Sequence, residues 1–231
     1  MINIRTIIIS DCHGRPELIT NALEHSKFDK NVDRLVFAGD IVDIGYQEQQ
    51  CSDILIENKA EILYGNHDAA MFLGDRIWPQ QWHDDIFKEN LFKIMKNSKI
   101  AIVIDNSVLV THAGYSNSLH KDLFKEEDVD IQNIVRVINR FPLRLVYEWK
   151  DGPLWYRPTK DNIWYNKCSQ VCGHTPPGYV ESMISPLKFD NFYMVDPYCE
   201  NNFNSPNRYR YAEIINGRTK VFDSNKIGDL I

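Results

Sequence analysis

The apolar positions of this chain change period as they run. Ile7-Ile8-Ile9 is a β-branched run without alternation, the pattern of a strand buried on both faces. Pro16 then suits the first position of a helix, and Leu18, Ile19, Ala22 and Leu23 recur at helical spacing. Residues 34–38 read as the next strand, ending at Gly39. Residues 48–58 read as a helix, and 61–64 as a third strand, ending at Gly65. Residues 84–97 carry Ile86, Phe87, Leu91, Ile94 and Met95 at helical spacing. The region 118–139 is expected to be a second long helix, with Ile131, Ile134, Val135 and Ile138 on one face. Residues 100–104 and 108–111 read as strands about a turn at Asp105-Asn106. The Pro-, Gly- and aromatic-rich stretch 150–166 reads as loop, Val171-Cys172 leads into Gly173, and 191–222 reads as strands with polar turns. Strands alternating with helices predict α/β layers, and 231 residues suffice for one domain spanning 1–231.

The polar residues are placed less evenly than the apolar ones. Several short strands end in a Gly beside Asp, Asn or His, and side chains at the carboxyl ends of strands gather where α/β sheets bind ligands. The groups so placed are Asp11 and His13, Asp40 and Asp43, Asn66, His67 and Asp68, His112, and His174. Four of the seven histidines fall among them, which marks these strand ends as a candidate site. Carboxylate, amide and imidazole donors without thiolates suit manganese, iron, zinc or, less well, magnesium. Singly, each has a plainer reading: Asp11 as a turn residue, Asn66 as a helix cap, His112 as a satisfied core histidine.

Taken in order, five motifs resemble the calcineurin-like metallophosphoesterases. They are Asp11-Cys12-His13-Gly14, Gly39-Asp40-Ile41-Val42-Asp43, Gly65-Asn66-His67-Asp68, Thr111-His112-Ala113-Gly114 and Gly173-His174-Thr175. The resemblance implies a double β-sheet sandwich flanked by helices, in α-β-β-α layers. It implies two divalent metal ions, manganese foremost, with iron, zinc or magnesium also compatible. Asp11, His13 and Asp40 would hold the first ion; Asp40 would bridge to the second, which also takes Asn66, His112 and His174. His67 would be the general acid and Asp43 would orient its imidazole. The reaction would be hydrolysis of a phosphate ester by a hydroxide bridging the metals.

Gly173-His174-Thr175-Pro176 lacks the second His with which the cyclic-nucleotide-type phosphodiesterases close. It resembles instead the branch of the serine/threonine phosphoprotein phosphatases, the phage lambda phosphatase and the symmetrical diadenosine tetraphosphatases. Asp68 and the stretch 152–157 look like the bacterial and phage members, which makes Arg157, with Asn66, the expected contact to the substrate phosphate. The branch carries an Arg after its Gly-Asp-x-Val-Asp; here Ile44 stands there, and Arg15 and Arg76 are the nearest bases to a motif. Val195-Asp196-Pro197 resembles the family's late strand without its Thr-Gly. The expected substrate is a phosphorylated protein or a small phosphoester or nucleotide. The alternative is a symmetrical dinucleoside polyphosphate such as diadenosine tetraphosphate, and the alternative of another class is a non-catalytic metal-binding scaffold.

Charge and cysteines narrow this only a little. A net charge of −6 argues against general nucleic-acid binding, though bound cations can invert the potential over a small phosphate substrate. Five cysteines without a regular framework suggest a reduced, cytoplasmic setting, and no run approaches a membrane span. Cys12, between two candidate ligands, is expected to be a buried inert thiol. Trp149, Trp155, Tyr156 and Trp164 are expected to pack in core and loop rather than to form a stacking platform. His83 and His120 are expected on the surface, and Glu126-Glu127-Asp128 as a solvated helix start. The stretch 78–82 could be a lid or an ordinary packed connection.

Overall fold

The computed structural model describes residues 4–77, 85–125, 127–176, 191–197 and 207–224. In chain order its elements are β1 (Thr6–Ile9), α1 (Pro16–His25), β2 (Arg34–Phe37), α2 (Glu48–Glu57), β3 (Glu61–Ile62), α3 (Asn66–Leu73), α4 (Asp85–Met95), β4 (Ala101–Ile104), β5 (Val108–Thr111), α5 (Asn117–Phe124), α6 (Ile131–Ile138), α7 (Leu143–Glu148), β6 (Ser169–Cys172), β7 (Phe192–Met194), β8 (Arg210–Ile215) and β9 (Arg218–Asp223).

They form two sheets. The first has the order β3-β2-β1-β8-β9, with β1, β2 and β3 parallel and the β8–β9 hairpin added antiparallel to β1. The second has the order β4-β5-β6-β7, with β5, β6 and β7 parallel. The absence of alternation in Ile7-Ile8-Ile9 has a direct cause. Ile8 joins Val36, Ala38, Leu63, Val110, Val171, Val195 and Ala212 in a core drawn from both sheets, while Ile7 and Ile9 pack with Ile19 and Leu55 of the helical layer. On the other sheet, α6 packs on β4 through Ile134 and Ile138. Two sheets face to face with helices outside are the α-β-β-α layers of the expected sandwich.

Three local readings change. The helix expected over 118–139 is two helices. Lys125 takes a left-handed φ of +58° and ends α5, and Asp130 caps α6 by accepting the Asn133 N–H at 2.9 Å. Glu127 and Asp128 are solvated as expected, but they lie in the break and not at a helix start. His120 is buried, not on the surface: its ring stacks on Tyr165 at 4.1 Å and bonds the Tyr115 hydroxyl and the Glu127 carbonyl. The helix α7, at six residues, is too short to announce itself by periodicity. His83 and the 78–82 stretch lie outside the described residues. No helix among the described residues is long and apolar enough to cross a membrane.

Candidate metal centre

The six parallel strands among the described residues end at one place. Asp11 follows β1, Asp40 follows β2, Asn66 and His67 open α3 after β3, His112 follows β5, His174 follows β6, and Asp196 follows β7. The strand ends approach so closely that side chains are excluded between them: a Cβ on Gly173 would overlap the Asp11 carboxylate, and one on Gly65 would overlap that of Asp40. Backbone strain collects here as well. Asp11, His13, Asp40, Asp43, Ile44 and His174 all have positive φ, between +44° and +72°. Non-glycine residues adopt such values only where their surroundings over-determine them, which is common at functional sites.

The histidines share one arrangement. His112 Nδ1 donates to the Ala38 carbonyl and His13 Nδ1 to the Val42 carbonyl, each at 2.8 Å; His67 Nδ1 donates to Asp43 Oδ2 at 2.7 Å. In a neutral ring this uses the only proton, so each Nε2 turns a lone pair inward. His112 Nε2 then lies 2.8 Å from Asn66 Oδ1 and 3.3 Å from Asp40 Oδ2. His13 Nε2 lies 3.6 Å from Asp40 Oδ2 and 4.0 Å from Asp11 Oδ1. His174 Nε2 is buried with no hydrogen-bond partner among the described residues. With the rings neutral these are acceptors facing acceptors, beside a buried orphan nitrogen, an arrangement that calls for cations, so the donor set fits divalent metal. Among the described residues two groups have ligand atoms all within 4.8 Å of one another, His13–Asp40–His67 and Asp40–His112–His174; Asp40 belongs to both.

The protonation equilibria point the same way. Burial would raise the Asp40 carboxyl, but the imidazoles of His112, His67 and His13 hold it well below the usual carboxylate range. Burial would lower His112, but Asp40 and Asp11 push it up to about 9. His67 is likewise raised by Asp40 and Asp43 against burial. His174 is pushed down, by burial first and then by His112 and Arg157. Asp11 is raised by burial and by the Asp196 carboxylate.

Every residue read as a ligand from the sequence stands at this one edge, and so does the His67–Asp43 pair, but Asp11 belongs to neither group and His67 takes its place beside His13 and Asp40. Arg157 is exposed beside them, donating to Thr175 Oγ1 at 3.3 Å. Of the two bases nearest the motifs, Arg15 begins α1 directly after the His13-Gly14 turn, whereas Arg76 lies beyond the far end of α3, roughly 12 Å along its axis. Cys12 is fully buried with its thiol raised by burial, as expected of an inert thiol. Trp164 stacks on Phe192 at 5.0 Å and the Tyr156 hydroxyl bonds the Asn162 carbonyl, so both pack.

Asp68 has a part that motif reading alone did not suggest. Its carboxylate, wholly buried, accepts the N–H groups of Asp40, Ile41 and Gly65 at 2.8, 2.9 and 3.1 Å. Burial and the Asp40 charge push it up to about 6, while those three donors pull it down. It ties the loop bearing Asp40 to the start of α3. The available signal was an acidic residue three positions into a helix, the returning half of a capping box.

Ile44 is the most strained of the set by residue type. At φ +69° it is the centre of a γ-turn closed by the Gly45 N–H on the Asp43 carbonyl at 2.8 Å. A β-branched residue there costs of order 1–3 kcal/mol. Ile44→Gly is expected to raise the free energy of unfolding by about 1 kcal/mol. A denaturant midpoint that moves up at constant slope would show it; an unchanged or lower midpoint would remove the strain argument.

Residues 4–216 match the profile of the calcineurin-like phosphoesterases. The chain belongs to that family. This calcineurin-like phosphoesterase is accordingly a metal-dependent phosphoester hydrolase. Its structure is similar to that of a cold-active protein-tyrosine phosphatase from a psychrophilic Shewanella species, at TM-score 0.60 and 15% identity over 94% of this chain and 80% of that one. It is also similar to a protein serine/threonine phosphatase from Saccharomyces cerevisiae, at TM-score 0.57 and 17% identity over 99% and 82%. A third similar structure is that of a protein proposed to be a diadenosine tetraphosphatase, at TM-score 0.53 and 20% identity over 97% and 95%. At these identities the likeness is one of fold. No curated protein sequence matches the chain.

Proposed function

We propose that this phosphoesterase is dinuclear and hydrolyses phosphate monoesters, of a phosphorylated protein or a small molecule. The observation that carries the reading is the pair of ligand groups sharing Asp40. Asp11, His13 and Asp40 would hold one ion; Asp40, Asn66, His112 and His174 would hold the other. Two divalent ions supply charge to draw in phosphoryl oxygens and lower the pKa of water enough for it to attack near neutral pH.

The chain's own residues do the rest. Asp43 fixes the His67 tautomer, so that Nε2 carries the mobile proton, and its negative charge favours the imidazolium. His67 then gives that proton to the leaving oxygen as the ester bond breaks. The Arg157 fork and the Asn66 amide engage phosphate oxygens. Asp68 keeps Asp40 in place through the backbone it holds.

Metal-loaded protein is expected to hydrolyse phosphopeptides or aryl phosphates and to lose that activity on chelation, recovering it on adding manganese. Release of nucleoside diphosphates from diadenosine tetraphosphate, with no action on phosphopeptides, would replace this substrate class by the dinucleotide one. No hydrolysis of any phosphoester by loaded protein would leave a binding scaffold.

Metal loading carries its own pH signature. His112, raised to about 9, is protonated in the metal-free protein below that pH, and its Nε2 must lose the proton to bind an ion. Loading at about pH 7.5 is therefore expected to release at least about one proton per chain, and apparent affinity to fall as the solution is acidified. Calorimetry in buffers of different ionisation enthalpy measures this; no proton release would show that loading does not displace a proton from His112.

A further inference from the structure

We propose that Ile44 and Tyr46 seat the leaving group and that this seat selects an aromatic ring. The proposal rests on the reading of the metal centre and of His67 given above. The leaving oxygen meets the proton of His67, so whatever is attached to that oxygen lies against the residues beside His67. Asp43 holds that imidazole at 2.7 Å, and the chain continues from Asp43 directly into Ile44, Gly45 and Tyr46.

That segment is laid against the loop of the first ligand group at two points. Gly45 N–H donates to the His13 carbonyl at 2.8 Å, and Gln47 N–H to the Gly14 carbonyl at 3.0 Å. Just before the first anchor the γ-turn holds Ile44 half-buried at φ +69°, and Tyr46, between the two anchors, is left 89% exposed. A single exposed tyrosine is ordinary on a protein surface. What is unusual here is its place, two residues after a strained turn pinned to a metal-ligand loop. Strain of this kind is kept where the surroundings impose it, and a flexible rim would have relaxed it.

The chemistry of the seat is one-sided. Neither Ile44 nor Tyr46 is ionic, and the one carboxylate before them, Asp43, is engaged with His67. Arg157 stands with the other ligand group, near enough to His174 to depress its basicity. A substrate bridging both would put its phosphate towards Arg157 and an uncharged group over Ile44 and Tyr46. An aliphatic residue followed two positions on by an open phenol ring favours a flat aromatic partner, since rings gain stacking or edge contacts beyond the area they bury.

Benzyl phosphate and cyclohexylmethyl phosphate test this, because they match in size and in the basicity of the leaving oxygen but differ in aromaticity. With manganese-loaded protein, kcat/KM is expected to favour the benzyl ester about three- to tenfold. The ratio is expected to fall to about one in Tyr46→Ala, which should fold because Tyr46 is exposed. A ratio of one in the unsubstituted protein, or a ratio unchanged in Tyr46→Ala, overturns the proposal. If neither ester is hydrolysed, activity on an aryl phosphate tests the phosphoesterase reading separately. Calorimetric binding of benzylphosphonate against cyclohexylmethylphosphonate then decides the seat by the same ratio and the same variant. A phosphotyrosine peptide and a nucleoside 5′-phosphate separate two sources of such a ring: the source that fits loses more kcat/KM in Tyr46→Ala, and loss with neither overturns the proposal.

Discussion

Replacing His67 by Ala is expected to lower kcat by about 10²–10⁴-fold while both metal ions remain bound. The ring's two nitrogens have different partners. Nδ1 is committed to Asp43 at 2.7 Å, so only Nε2 faces the site. Nε2 can there do one of two things. It falls within the group formed with His13 and Asp40, where it could take a metal ion, and it is poised by two carboxylates to hold a proton. Metal stoichiometry separates the two: retention of two ions with slow turnover supports the acid, and loss of one ion makes His67 a ligand. Leaving-group dependence sharpens the test. A proton donor matters most when the leaving oxygen is strongly basic, so the variant should lose much more activity on alkyl esters than on nitrophenyl esters. An equal loss on both would point to misplaced ligands. A turnover left unchanged would remove His67 from the mechanism.

Much of this centre could be read from the chain because its donors sit at strand ends, and several strand ends are marked by short apolar runs stopping at glycine. Gly39, Gly65 and Gly173 each mark such an end, and the last two are glycines because neighbouring strands leave no room for a Cβ. The helices with a long apolar face, α1, α2 and α4, were legible for the same reason of periodicity. What escaped depended on contacts distant in sequence. Nothing in residues 210–223 tells that their hairpin pairs with β1, more than two hundred residues earlier. His120 looks like a surface histidine until Tyr165 stacks on it. The break in 118–139 turns on a left-handed Lys125, a conformation that composition does not announce. Asp68 was visible as part of a motif, but its three backbone partners were not, because two of them belong to another strand end. Ile44 was legible as a missing arginine; that it also centres a strained turn is a property of the fold.

Substituting Asp40 by Asn is expected to weaken both metal sites together. Asp40 is the one residue common to the two ligand groups, with Oδ2 3.6 Å from His13 Nε2 and 3.3 Å from His112 Nε2. Two dications about 4 Å apart repel by roughly 4 kcal/mol even at the dielectric constant of water, four times the value for unit charges, and by more in a buried site. A shared carboxylate offsets part of that repulsion for whichever ion binds second, and a neutral amide does so far less. The substitution is close to isosteric and keeps an oxygen able to accept the His67 N–H, which Asp40 Oδ1 now accepts at 2.9 Å, so the fold should persist. Affinity for each ion is expected to fall by at least 10–100-fold, the scale seen when a supporting group is removed from a metal site. Metal analysis after equilibrium dialysis should then show both ions lost over the same range of free metal. Asp11→Asn is the control: Asp11 lies 4.0 Å from His13 Nε2 and is not in the group that holds His112 and His174, so the first ion should weaken while the second is retained. If Asp40→Asn strips one ion and leaves the other at full affinity, Asp40 is a terminal ligand, and the two ions are not bridged by it.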